Sequence, residues 1–261
     1  MIFNEFYKMN MKNYNLKVSF LSLLLLMSVS VQAQQKLFDT HLFKVNLLPI
    51  ALRSYNISYE TTISDHWSFA LGVNVRPSQG VPFQSEVERY YTDNDVRLSN
   101  LMVSQYSIVP EFRYYFTPSS ALRGFYLGTY FQYANFGVDM QIDYTGRGNG
   151  VNPSEFDFKG PIHTYTAGAS IGRQWRFGKA FYLDWTILGA SFGINSGNIV
   201  GINRNNRPLD DYEQQVFINK PNEFDIPLAN VRVDAESDQI SIRTNGLWAG
   251  ARFGLSIGYR F

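Results

Sequence analysis

The chain holds three histidines, His41, His66 and His163. Imidazole is the general base most hydrolytic sites use near neutral pH, so each is tested for serine and carboxylate neighbours. His41 and His66 fall near the predicted periplasmic rim, which leaves His163 as the outer-side candidate, with Asp157 and Ser191 or Ser196 as its conceivable partners. A lipid-modifying or protease-type site at the outer rim of a barrel would use that set, and a solvated rim histidine with no chemistry is the competing reading. A second group is ionic: Lys44, Glu60, Arg76, Glu111, Arg113, Asp184 and Arg252 fall on the face of their strands opposite the apolar one. Charges of both signs on one buried face must pair, because an isolated desolvated charge is costly. They are expected to form a structural network, with a narrow gated ion path as the alternative.

Other chemistries fall away. With no cysteine there is no disulfide and no thiolate metal site. Asp93-Asn94-Asp95 starts like a calcium loop but lacks the glycine and closing glutamate, and Gly146, Gly148 and Gly150 lack the strand-to-helix setting of a phosphate cradle. No metal, cofactor or catalytic assignment follows, and the expectation is a protein that is not an enzyme. Lys and Arg total 23 against 22 for Asp and Glu, which removes the basic face a nucleic-acid partner requires.

The elements that must hold these residues begin with an address. Val18 to Val31 is apolar, follows Lys8, Lys12 and Lys17, and precedes Val31-Gln32-Ala33. It is too short to cross a bilayer as a helix, and it reads as a signal peptide spanning 1–33, with Met9 or Met11 as alternative starts. The mature segment, 34–261, is one domain. Aromatics make up 16% of the chain, almost as much as the charged residues, a balance suited to strands with one face in an apolar medium.

Periodicity carries that further. Leu247, Ala249, Ala251, Phe253, Leu255, Ile257, Tyr259 and Phe261 alternate with small or polar residues. Strict period 2 over this length sets one face against an apolar medium and the other against a polar interior. The same phase recurs in stretches near His41 to Leu48, Ser54 to Thr62, Trp67 to Arg76, Met102 to Phe116, Phe125 to Phe136, Thr164 to Phe177 and Phe181 to Ile194. The expected fold is all-β: an eight-stranded antiparallel up-and-down transmembrane barrel, with both termini periplasmic in an outer membrane. Connections alternate between short periplasmic turns (Ile63 to His66, Thr117 to Gly124, Gly178 to Ala180) and long outer loops (Pro77 to Asn100, Gly137 to His163, and 195–246). Pro110 cannot donate to a ladder, so a bulge is expected there. Arg173 falls on the apolar face, where its stem can snorkel.

The last loop has internal order. Leu209, Tyr212, Val216 and Phe217 share a helical face after Pro208, while Val231-Arg232-Val233 and Ile240-Ser241-Ile242 alternate as a small hairpin. Too short to span a bilayer, these runs are read as an extracellular cap, with Tyr212, Phe217, Val231 and Ile240 as its partner-docking candidates.

Lys44-Val45-Asn46-Leu47-Leu48-Pro49, Pro110-Glu111-Phe112-Arg113-Tyr114-Tyr115-Phe116, Gly124-Phe125-Tyr126-Leu127-Gly128 and the closing segment from Trp248 to Phe261 together resemble a family of Bacteroidota outer-membrane barrels, catalogued as a domain of unknown function (number 3575). The resemblance covers nearly all of the mature segment. It implies outer-membrane lipid and lipopolysaccharide as surroundings. It also implies an insertion signal read by the barrel-insertion machinery, formed by Phe253, Leu255, Ile257, Tyr259 and Phe261, and a link to fimbrial or adhesin systems. The functional expectation is a barrel whose outer loops dock or stabilise a cell-surface assembly through a protein or glycan. An enzyme near His163 and a purely structural membrane protein are the alternatives.

Overall fold

In the computed structural model the described residues are 41–90, 96–117, 122–144, 154–204, 208, 209, 211, 214, 215, 218, 229–236 and 239–261. The proposed signal peptide, Asp93 to Asp95, Gly146 to Gly150, Tyr212, Val216 and Phe217 lie outside them. Nine strands are described: β1 His41–Asn46, β2 Tyr55–Thr62, β3 Trp67–Gly80, β4 Val96–Tyr115, β5 Gly124–Tyr144, β6 Ser154–Phe177, β7 Phe181–Asn203, β8 Ala229–Ala235 and β9 Gln239–Arg260. A 3-10 helix, Leu48–Leu52, joins β1 to β2, and a short helix α1, Gln84–Tyr90, follows β3. No described helix is long and apolar enough to cross a membrane.

Every strand pairs antiparallel with its neighbour, and β9 pairs with both β7 and β1, closing eight strands into a ring; β8 is an extra strand added to the upper edge of β9. The ring is staggered. Following partners from Asn46 leads through Asn56, Asn74, Ser107, Ala134, Thr164 and Asn195 to Gly246, yet Asn46 itself pairs with Ser256, ten positions further along β9. A stagger of this kind requires strands tilted by about 35–45° and leaves an eight-stranded interior that side chains can fill. At the seam Phe261 donates its N–H to the His41 carbonyl at 3.2 Å, and the His41 ring stacks between Tyr59 and Phe261.

The eight segments read from periodicity are the ring strands, and the strands flanking the three short turns end and begin near where expected. Gly178 takes a φ of +63° in the tightest of them, a conformation that favours glycine. Two expectations are corrected. Strand runs into the long outer connections: β5 and β6 cover much of Gly137 to His163, β7, β8 and β9 cover part of 195–246, and β3 and β4 reach a short way into Pro77 to Asn100. The hairpin within 195–246 does form, as β8 with the start of β9.

Pro110 causes no bulge. Ile108 pairs with Tyr133 and Glu111 with Tyr130 in one unbroken register, and Leu71 pairs with Pro110 on the other side. The missing N–H removes ladder pairing toward β5 without inserting a residue. Register shifts occur instead at Arg76/Gln79, Ser99/Met102, Ile171/Gly172 and Thr186/Gly189.

Polarity along the long strands changes sides while the pleat keeps its phase. On β5, outward Phe125, Leu127 and Phe131 are exposed and inward Tyr126 and Tyr130 buried; past Tyr133 the outward residues become Asn135, Asp139, Gln141 and Asp143, and the inward ones Val138, Met140 and Ile142. On β6, outward Tyr165, Ile171 and Trp175 give way to His163, Lys159, Asp157 and Glu155, while inward Thr164 and Thr166 give way to Phe158 and Phe156. The lower section is thus apolar outside and polar inside, and the upper section is the reverse. The upper core packs Phe156, Phe158, Ile199 and Ile240, with Leu209 folded in from the β7–β8 connection. Its outer face carries the ion pairs Lys159–Asp139, Arg204–Asp157 and Arg232–Asp234.

Small residues make room inside. A Cβ on Gly172 would lie 2.3 Å from the Tyr126 ring. Gly172→Ala is expected to cost about 1–3 kcal/mol by overpacking. Urea titration of the folded barrel checks this: a lower midpoint with unchanged slope is the expected outcome.

Candidate functional site

The inward phase of β1, β2, β4 and β7 delivers the ionic side chains to one layer of the lumen. Lys44 reaches Asp184 because β9 places Gly258 between their strands: Lys44 and Tyr182 both pair with Gly258, and a Cβ there would meet the Lys44 stem at 3.0 Å. The Lys44 ammonium lies 2.5 Å from Asp184 Oδ2 and 2.6 Å from Glu60 Oε2. Arg113 reaches Asp184 at 2.6 Å and Glu111 at 3.1 Å, and Arg252 reaches Glu111 at 3.0 Å. Gly128 opposes Arg113, and its missing Cβ leaves space for the Glu111 carboxylate, which also accepts from Ser170.

Remaining lone pairs are taken up locally. Ser68 and Tyr115 donate to Glu60, Tyr126 donates to Asp184, and the Arg113 guanidinium lies over the Tyr126 ring at 4.3 Å. Lys44, Glu60, Glu111, Arg113 and Asp184 are each at most 2% exposed. A buried network is sustainable only when its charges are paired, and each charge here has an oppositely charged partner, while Arg113 Nε and Arg252 Nη1 are buried without a hydrogen bond. Below it Leu42, Tyr115, Leu122, Tyr126 and Tyr182 pack together, and Gln174 ties the Leu122 carbonyl at 2.7 Å. The turn end of the lumen is therefore filled.

The structure thus brings together Lys44, Glu60, Glu111, Arg113, Asp184 and Arg252. Arg76 is the exception. It stands near the upper end of β3, where its guanidinium donates to the Gly80 carbonyl at 2.9 Å, and it makes no ion pair with the others. Tyr115 and Tyr126, which sequence reasoning passed over as network members, share the inward phase of Arg113 and Gly128, and that phase was the available signal.

Above the network lies a cavity of about 380 Å³, lined on one side by Asn56, Asn74, Arg76, Glu111, Arg113 and Arg252 and on the other by Leu48, Pro49, Leu52 and Phe253. It ends blindly on the ionic layer.

The structure does not assemble a catalytic set at His163. Its Nδ1 is occupied by Tyr133 at 3.1 Å and Asn135 at 2.9 Å on the outer face, where the ring also stacks on Tyr133. Asp157 is bound to Arg204 at 2.7 Å, a hydrogen bond that holds its carboxyl below the usual carboxylate range. Ser191 is on the inward phase of β7, and Ser196, though the cross-strand partner of His163, makes no hydrogen bond to it. His41 and His66 sit at the turn end, His66 against the Tyr115 carbonyl.

Of the docking candidates, Ile240 is corrected: it is fully buried in the upper core and unavailable to a partner. Val231 is half-buried on β8, and Tyr212 and Phe217 lie outside the described residues. Of the closing segment, Phe253, Ile257, Tyr259 and Phe261 are exposed on the outer face, and Leu255 is half-buried there.

Removing Lys44 alone leaves Glu60 and Asp184 short of positive charge, so Lys44→Met is expected to cost about 3–5 kcal/mol. Combining it with Glu60→Gln should recover part of that loss, measured by urea unfolding of both variants. In planar bilayers the purified protein should give no sustained conductance, because the lumen is filled at its turn end.

The chain matches, over residues 19–199, the family described as protein of unknown function (DUF3575), and it belongs to that family. No curated protein and no solved structure matches it.

Proposed function

We propose that the protein is an integral outer-membrane barrel, without enzymatic activity, that holds a rigid sheet outside the bilayer as a docking platform for a cell-surface assembly. The carrying observation is the polarity inversion along unbroken strands. Outward apolar residues run from Phe125 to Tyr133 on β5 and from Tyr165 to Trp175 on β6. These lengths suit the roughly 9–11 residues of a bilayer-spanning strand. Above them the same strands continue with a charged exterior and their own apolar core, the arrangement of a body standing in water.

The apolar band supports membrane insertion because a soluble barrel would not expose Phe43, Leu71, Phe112, Leu127, Phe131, Phe192 and Ile257 on one continuous surface. Aromatic clusters toward its turn end, Trp67 with Tyr114, Trp175 with Trp185, and Phe181 with Tyr259, match an interfacial girdle. The blind lumen disfavours transport, and the scattered His163 set disfavours catalysis. Docking is favoured over a purely structural role because a barrel needs only short loops to close, while this one extends β4 to β7 and β9 to 20–24 residues each. Outward Ile202 is 62% exposed beside the charged Arg204–Asp157 pair, an apolar contact point on an otherwise polar face. The resemblance to adhesin-linked barrels suggests a surface protein or glycan as the partner.

Two measurements test this in intact cells. A cysteine at Lys159 should react with a membrane-impermeant maleimide, whereas one at Lys179, in the β6–β7 turn, should react only after outer-membrane permeabilisation. A photo-crosslinking residue at Ile202 should yield one recurrent surface-protein or glycan adduct. Lipid adducts alone, or none from an inserted barrel, would leave the structural role standing in place of docking.

A further inference from the structure

Among the described residues the ring has a breach in its wall. β1 stops at Asn46, and the last contacts there are Leu47 N–H to the Leu255 carbonyl at 2.8 Å and Leu255 N–H to Asn46 Oδ1 at 3.2 Å. β9 continues upward, and β8 joins the same edge only from Gly246. Between Leu255 and Gly246 no described strand pairs with that edge of β9. Ladder groups alternate between the two edges, so Phe253 and Ala251 direct theirs, like Leu255, into the breach.

The cavity opens there. Ala251 and Phe253 belong to the outward phase of β9, yet both line it, as do Leu48, Pro49 and Leu52 from the 3-10 helix. Leu52 and Phe253 are 54% and 65% exposed, so the apolar wall of the cavity is continuous with the outer band.

Charge marks the opposite wall. Among the described residues the network's three carboxylates, Glu60, Glu111 and Asp184, pair with Lys44, Arg113 and Arg252, and Arg76, on the cavity wall above them, is one further cation. Arg76 Nε and Arg252 Nη1 are both buried without a hydrogen-bond partner. Arg252 is already neutralised on its other side by Glu111, and Arg76 reaches only a carbonyl. Guanidinium donors fit a carboxylate in a fork geometry.

We propose that this cavity binds a long-chain carboxylate that enters sideways through the breach, its head between Arg76 and Arg252 and its chain along Leu52 and Phe253. The assignment rests on the membrane reading of the outer band, because that reading puts the opening against acyl chains. The bound head supplies negative charge to Arg76 and Arg252, and the chain lies against the apolar Leu52 and Phe253.

The test uses the full chain, purified in neutral detergent, with insertion scored separately by co-flotation with liposomes. Native mass spectrometry with palmitate should show saturable binding of one molecule per barrel, with neither hexadecanol nor acetate retained. Arg76→Gln, which breaks no ion pair, should weaken palmitate binding about tenfold or more. Ala251→Trp, filling the opening, should do the same, and Lys159→Gln on the outer face should bind like the parent. Equal retention of hexadecanol, indifference to Arg76→Gln, or no saturable binding would overturn the proposal. A barrel that floats with liposomes yet fails these tests condemns the ligand and spares the membrane reading; a barrel that does not float condemns the membrane reading itself.

Discussion

The ten-residue stagger at the β1–β9 seam is the constraint on which the rest depends. Once the ring closes with that offset, strand tilt, lumen width and the side chains that share a depth are all set. The offset carries Lys44 across Gly258 to Asp184, joining residues 140 positions apart. It also fixes where the wall is thin: β1 and β2, at six and eight residues, cannot follow β9 upward, so the side on which the chain begins and ends the ring is its low side.

Inside, glycine placement and charge placement are one solution. Gly128 and Gly258 lie opposite the bulkiest ionic groups, and a methyl at either would press on Glu111 or Lys44. The lumen thereby holds five nearly inaccessible charges with their partners in reach. Tyrosines close the layer from below, each bringing a hydroxyl to a carboxylate and a ring to the apolar plug. Such a layer is costly to break by removing one partner, although well-packed hydrophobic residues of similar volume often replace buried ion pairs without loss.

Much of the lower section was legible because one rule, an apolar outer phase against a largely polar inner one, runs along the ring strands up to Tyr133 on β5 and Tyr165 on β6, with the apolar plug at the turn end and outward Arg173 as departures. The upper section was not legible by that rule. From Asn135 and His163 onward the alternation persists but its meaning flips, so Asp139, Lys159 and Asp157 read as loop residues when they are the wet face of strands that continue. Pro110 misled for a different reason: a proline deletes a donor, but only a change in residue count between paired strands makes a bulge. Arg76 has the right phase for the lumen and is separated from the network by height alone, a coordinate that alternation does not carry. Ile240 reads as part of a docking surface because its short alternating run reads as an extracellular cap, although alternation describes a buried position on an amphipathic strand equally well.

The unbroken passage of β5, β6, β7 and β9 between the two sections also has a mechanical meaning. A force applied to the upper sheet along the strands is transmitted into the lower ring through many parallel ladder hydrogen bonds loaded in shear, with no loop or hinge in series to stretch first. Peeling can begin at β8, a single strand of seven residues at the edge. The molecule is thus anisotropic, stiff to tension along its axis and weak to a sideways pull at one corner. Whatever is tethered to it is held best when the load runs lengthwise.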